Sequence, residues 1–319
     1  MSHKKQEYYV KNFSLCDRNH FLILKGIAAL AAVIALFFRS YYDFNYASYI
    51  VHGAAAVFFF CSGFGVSESY RHNGGLSHYW ENKMVKVWLP SAIMVIALNV
   101  VRKGNFASWI AQSPLGLMDN WLYLTFGCYG AFWVIFKLMD KKVARLISLF
   151  ACSAAAFALL PEDMAVKIHV FAFPVGVLLS QIGWKHSMMD AGWGKRIAVL
   201  GIAIVAGAAG AVLASLIRLP YLRPFGWSVC FLSVAVSLVL ATYYLKKVPI
   251  FGVFAPFGMI SYGLYLLYDG VFDFFGSRQD WKMHMVMFGV LLAGAVAISA
   301  LRELLARRNR KMRRRERRR

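Results

Sequence analysis

The chain has 319 residues, of which 60% are hydrophobic and only 16% charged, where a soluble domain carries about 25%. It nevertheless holds 36 Lys and Arg against 15 Asp and Glu, a net charge of +21. The hydrophobicity excludes a disordered basic protein, and five cysteines without CxxC spacing exclude a disulfide scaffold and suggest no metal site. What remains is an integral membrane protein whose charge is confined to particular places.

A hydrocarbon core about 30 Å thick needs about 20 helical residues to cross it, and ten apolar runs of about that length follow one another. The first two are Phe21–Phe38, with Lys25 near its start, and Tyr49–Val66, with His52 near its start. Next come Met84–Val101, preceded by Lys83 and containing Lys86, and then Trp121–Leu138 and Val143–Leu160. Ala165–Ile182 is the sixth and is weakened by Lys167 and His169; Ile197–Ile217 and Gly226–Leu245 follow. Met259–Phe275 contains Asp269 and Asp273, and Met283–Leu301 closes the series. The fold class expected is therefore an all-α integral membrane protein of about ten transmembrane helices.

Lys and Arg are enriched in the cytoplasmic loops of membrane proteins. With ten spans, 28 of the 36 basic residues fall on the side of the two termini and eight on the other, which places both termini in the cytoplasm. The first run has no small-residue cleavage site after it, since Phe37, Phe38, Arg39 and Ser40 come next, so a retained helix is expected rather than a signal peptide. The domain organisation expected is one transmembrane domain, residues 1–305, and a basic cytoplasmic tail, 306–319. Of the net charge, +9 lies in Arg307–Arg319.

Four segments carry a resemblance. They are LKGIAALAAVIALFF from Leu24, VFFFCSGFGV from Val57, YWENKMVKVWLP from Tyr79 and ISYGLYLLYD from Ile260. In this order and spacing they resemble the acyltransferase 3 family, multi-spanning membrane enzymes that typically acylate sugars of cell-surface or secreted glycans. The resemblance implies an acyltransferase with acetyl-CoA or another acyl-CoA as co-substrate, no bound cofactor, a glycan acceptor and a bacterial cytoplasmic membrane. Three positions depart from the family pattern. Leu36 stands where its first-helix His falls, Tyr268 fills the late-helix His slot, and Ala56 replaces an acidic residue before the SGF segment. All three remove a polar group from the membrane interior, the direction expected of a catalytically inactive homologue acting as a scaffold or transport component.

Acyl transfer to a hydroxyl needs a base for its proton and stabilisation of the charge developing on the carbonyl oxygen. With no His at position 36, His52 is the substitute base nearest the first two helices on the outer side, where an acceptor would arrive. Its plain alternative is a hydrated interfacial side chain, and the same holds for His169. Asp269 is the second catalytic candidate, because a carboxylate within a membrane span marks a functional site by default; alternatively it and Asp273 form a hydrated pair near the outer surface. Lys25 either snorkels to the headgroups or acts near the thioester. Lys83 and Lys86 are either an ordinary positive-inside flank or, as the resemblance implies, contacts for the phosphates of acyl-CoA. Ser62, Gly63 and Phe64 read as close helix packing, since no base adjoins Ser62, and Tyr262 reads as a packing residue with a hydrogen-bonded hydroxyl. The tail is expected to adhere to anionic lipid; without a recognition module or interleaved aromatics, no nucleic-acid partner is expected.

Overall fold

The computed structural model describes residues 14–42, 46–73, 75–93, 120–161, 165–217, 219, 221–245, 249–275 and 281–316. The described residues contain no strand. The helices are α1 (Arg18–Tyr42), α2 (Ala47–Asn73), α3 (Tyr79–Lys83), α4 (Asn120–Leu138), α5 (Lys142–Leu159), α6 (Ala172–Gln181), α7 (Trp184–Met189), α8 (Trp193–Leu216), α9 (Leu222–Tyr244), α10 (Phe254–Phe275) and α11 (Trp281–Glu316). Among the described residues eight helices are long and apolar enough to cross a membrane. They coincide with the first, second, fourth, fifth and seventh to tenth of the predicted runs, and the protein is an all-α membrane protein.

The other two runs differ from expectation in instructive ways. Met84–Val101 begins as a π turn, Met84–Trp88, that continues α3; the chain stays helical over 89–93 and the rest of the run lies outside the described residues. Ala165–Ile182, expected as a full span, is interrupted. A 3-10 turn, Ala165–His169, is followed by a break at Val170 and Phe171, and then by α6, only ten residues long. At 1.5 Å per residue α6 measures about 15 Å, half the hydrocarbon thickness. Irregular backbone at that depth persists only where protein surrounds it, and here Val166, Lys167, His169 and Val170 are all buried.

The chain divides into two compact units, one within residues 1–76 and 124–258, the other within 77–123 and 259–319. In the first, α2 is central and packs against α1, α6 and α9, while α8 lies on α9 and α5 on α6. Lipid tails are as apolar as leucine, so helices in a membrane gain by close packing rather than by leaving water. Three crossings in this unit are built on opposed glycines. A Cβ on Gly26 would strike the Phe254 carbonyl, and one on Gly258 the Leu22 carbonyl. Gly63 stands in the same relation to the Phe173 carbonyl and Gly176 to that of Phe60, while Gly210 and Gly226 each face the other's carbonyl oxygen.

Polar contacts in this unit join residues that the alternating direction of the spans puts at one level. Near one end, Ser180 Oγ lies 2.9 Å from both Ser67 Oγ and Glu68 Oε1, Gln181 donates to Ser67 at 2.8 Å, and Arg71 bridges Glu68 and the Ser180 carbonyl. Toward the other end His52 meets His169, and Lys167 reaches the last turn of α5. Its Nζ donates to the Leu160 carbonyl at 2.9 Å and lies 5.1 Å and 5.0 Å from the ring centres of Phe157 and Tyr221. This closes a helix C-terminus with a cation between two aromatic faces. Lys167→Met keeps the stem and removes the ammonium; the expected result is a loss of about 1.5–3 kcal/mol, read as a lower midpoint of thermal unfolding in detergent.

In the second unit the π turn packs against α11, and Gly263 of α10 lies against Ala295 of α11. The 36-residue α11 is about 54 Å long, well beyond a bilayer core, and runs without interruption from its apolar half through Arg307 to Glu316. Glu303 and Arg307 pair across one helical turn at 3.2 Å.

Candidate functional site

His52 sits one and a half turns into α2, half-buried, and its Nδ1 lies 3.2 Å from Nε2 of His169. The two rings are 5.3 Å apart at 28° to one another. Phe231 of α9 contacts both, at 5.5 Å from His52 and 5.9 Å from His169, and Phe59 lies nearly parallel to His169 at 6.2 Å. His169 is 1% exposed. Two histidines that are 117 residues apart in sequence thus share one hydrogen bond inside an aromatic enclosure. Each neutral imidazole carries one N–H and one bare nitrogen, so the pair can accept or pass a proton without any carboxylate.

Ser62 is hydrogen-bonded to the Tyr129 hydroxyl at 2.5 Å, and Tyr129 packs edge-on against Phe173. A phenol is no general base for a serine, and Gly63 beside it meets the α6 backbone, while Phe64 is fully buried. Gly63 and Phe64 thus lie where α2 crosses α6. Tyr129 was not singled out by sequence; nothing in its apolar surroundings marks it.

His20 was also missed. It is fully buried, and the Cys16 N–H donates to its Nδ1 at 2.9 Å. The proton must then be on Nε2, which donates to Thr242 Oγ1 at 2.8 Å, and Thr242 passes a bond on to the Leu238 carbonyl. With both nitrogens engaged, His20 ties the start of α1 to α9.

In the second unit, the two late motif segments touch. Tyr262 Oη donates to the Val87 carbonyl at 2.6 Å, and the Arg302 guanidinium lies 5.9 Å from the Tyr262 ring. Tyr262 thereby fastens the π turn that follows Lys83 and contains Lys86. Residues three apart are splayed further by a π turn than by an α turn: Lys86 is exposed, whereas Lys83 is half-buried with its Nζ 5.6 Å from the Tyr79 ring. Burial pushes the Lys83 ammonium down to about 7. Lys25, in the first unit, is half-buried two turns into α1. The side chains of Asp269 and Asp273 lie outside the described residues. Leu36 is on α1, Ala56 is buried on α2, and Tyr268 stacks obliquely on Tyr265 at 6.4 Å.

Residues 20–302 match the acyltransferase 3 family, described as an acyltransferase domain. The chain belongs to this family. The match reaches from the first turn of α1 into α11 and includes all four motif segments. No curated protein and no solved structure matches the chain. Within an acyltransferase 3 protein, the segments quoted from the sequence fall at the helix crossings and turns just described: the first two on α1 and α2, which pack together, and the last two joined by Tyr262.

Proposed function

We propose that this membrane acyltransferase moves an acetyl group from acetyl-CoA, or another acyl group from its CoA thioester, to a hydroxyl of a cell-surface glycan. The observation that carries this reading is the His52–His169 pair: a family member with Leu36 in place of the first-helix histidine still holds an imidazole on α2 with a hydrogen-bonding partner. His52 takes the proton of the attacking hydroxyl, and the donor's phosphates lie on Lys83 and Lys86. Both termini are cytoplasmic in this reading, so the donor enters from inside and the acceptor from outside. The basic end of α11 rests on anionic lipid of the inner leaflet of a bacterial cytoplasmic membrane, no resident cofactor is needed, and nucleic acid has no part.

Membranes containing the protein are incubated with radiolabelled acetyl-CoA and polysaccharide fractions. Label in the polysaccharide above that of empty-vector membranes supports the reading, and none sinks it in favour of the catalytically silent homologue that Leu36, Ala56 and Tyr268 favour.

The donor contacts give a further expected result. Lys83→Ala and Lys86→Ala together raise the KM for acyl-CoA about tenfold or more, since hydrogen bonds to charged groups contribute about 1.5–3 kcal/mol each, with kcat changed far less. In the unaltered protein the same KM rises with pH through 7, because Lys83 is lowered to about 7 and loses its charge above that value. An unchanged KM in the double variant removes the two lysines from the donor site.

A further inference from the structure

We infer that His169 is a positioning residue for His52: its Nε2 accepts the Nδ1–H of His52 and so holds His52 in the one neutral tautomer whose Nε2 can receive a proton. This rests on the reading of His52 as the base.

A neutral imidazole places its single proton on either nitrogen, and only the Nδ1–H form leaves Nε2 bare. In His52 the nitrogen turned toward His169 is Nδ1, 3.2 Å from the partner's Nε2. With His169 Nε2 as the acceptor its own proton sits on its buried Nδ1, and in this arrangement it sets the His52 tautomer and aims the ring, the task a carboxylate performs in hydrolytic triads. His169 suits it because its own position is fixed. It ends a 3-10 turn, is 1% exposed, and lies beside the nearly parallel ring of Phe59 and against Phe231. Two residues earlier, Lys167 fastens the same turn to the Leu160 carbonyl. A continuous helix over Ala165–Ile182 would carry residue 169 on a different backbone course; the interruption before α6 is what accompanies this ring's placement.

In the transfer step the acceptor's O–H proton passes to His52 Nε2 as its oxygen bonds to the acyl carbon. The C–S bond breaks, and the CoA thiolate takes the proton back from Nε2. While His52 is an imidazolium, its Nδ1–H bond to His169 spreads the charge over the pair, and no further reactant is required.

The full-length protein, labelled with ¹⁵N-histidine and reconstituted in lipid vesicles, is examined by solid-state NMR, with the His52 signals assigned by their loss in His52→Gln. The expected spectrum has His52 as the Nδ1–H tautomer. In His169→Phe, whose ring fills the space between Phe59 and Phe231, the proton moves largely to Nε2, kcat for acetyl transfer falls at least tenfold, and the donor KM is unchanged. His169→Gln, which offers a carbonyl oxygen in the same direction, recovers part of the Nδ1–H population and of kcat, a rescue that lost packing alone would not give. An Nε2–H tautomer of His52 in the unaltered protein overturns the inference, as does a kcat of His169→Phe within twofold of the unaltered enzyme. If no form transfers label while His52 is nonetheless Nδ1–H, the pairing stands and the acyltransfer reading falls. If the phenylalanine variant does not elute as a single species in detergent, the unaltered spectrum and the glutamine variant decide.

Discussion

His52→Ala is expected to lower the rate of acyl transfer about 10²- to 10⁴-fold, the contribution of a positioned general base. The size follows from what the variant removes. An attacking hydroxyl loses its proton with difficulty near neutral pH, and an imidazole is the side chain whose unperturbed affinity for protons is matched to that task. His52 has the further advantage of an enclosure formed with His169 and Phe231, where a hydrogen bond is stronger than in water. The measurement is label transfer from acetyl-CoA at saturating donor, with retained folding checked by elution in detergent. Since the base acts only as the hydroxyl attacks, kcat should drop while donor KM stays within about twofold. Activity equal to that of the unaltered protein would remove His52 from the chemistry.

Gly63→Ala should destabilise the protein by about 1–3 kcal/mol or more, the range for overfilling a tight contact. Its new methyl group would meet the carbonyl of Phe173, which is backbone and cannot rotate aside. α2 and α6 would have to separate, loosening Phe60, Phe64 and Phe173, all at most 1% exposed. Gly176→Ala attacks the same crossing from the opposite helix, so the double variant should lose less than the sum of the two. Gly65, two residues away in the same motif, has nothing within 4 Å of its would-be Cβ; Gly65→Ala is expected to be neutral or to stabilise by up to about 1 kcal/mol through helix propensity. Thermal unfolding in one detergent, followed for all four variants, checks the contrast. Equal midpoints for Gly63→Ala and Gly65→Ala would refute the crossing.

The spans were legible because a bilayer imposes a length and a composition that a sequence cannot hide; eight helices fall where runs of about 20 apolar residues stand. Gly63 reads as a close-approach residue for a related reason, since small residues inside membranes serve close packing, and the backbone of Phe173 does lie against it. The break before α6 was not. Val170, Phe171 and Phe173 are as apolar as any helix core, and hydropathy takes no account of backbone course. Lys167 and His169 did mark the run as unusual, which is the trace the irregular turn leaves in the sequence. The pairing of His169 with His52 depends on the register of α2 against the segment that leads into α6, which runs parallel to it, and no local pattern reports a register across 117 residues. For the same reason Tyr129 and His20 went unnoticed, and the continuation of α11 past Arg307 was masked by charge, although Arg, Lys, Met and Glu are good helix formers.

The ten-residue α6 also bears on biogenesis. Presented to the insertion machinery by itself, the segment from Ala165 to Gln181 combines a short apolar helix with Lys167 near its start, and a lysine within an apolar segment opposes insertion. Its ammonium becomes tolerable only once the Leu160 carbonyl and the rings of Phe157 and Tyr221 surround it. Tyr221 lies beyond α8, so the lysine's full shelter exists only after α8 and the start of α9 have been synthesised. The segment is therefore expected to insert stably only when α8 and the start of α9 are present, and a chain ending before Trp193 would leave it outside the bilayer.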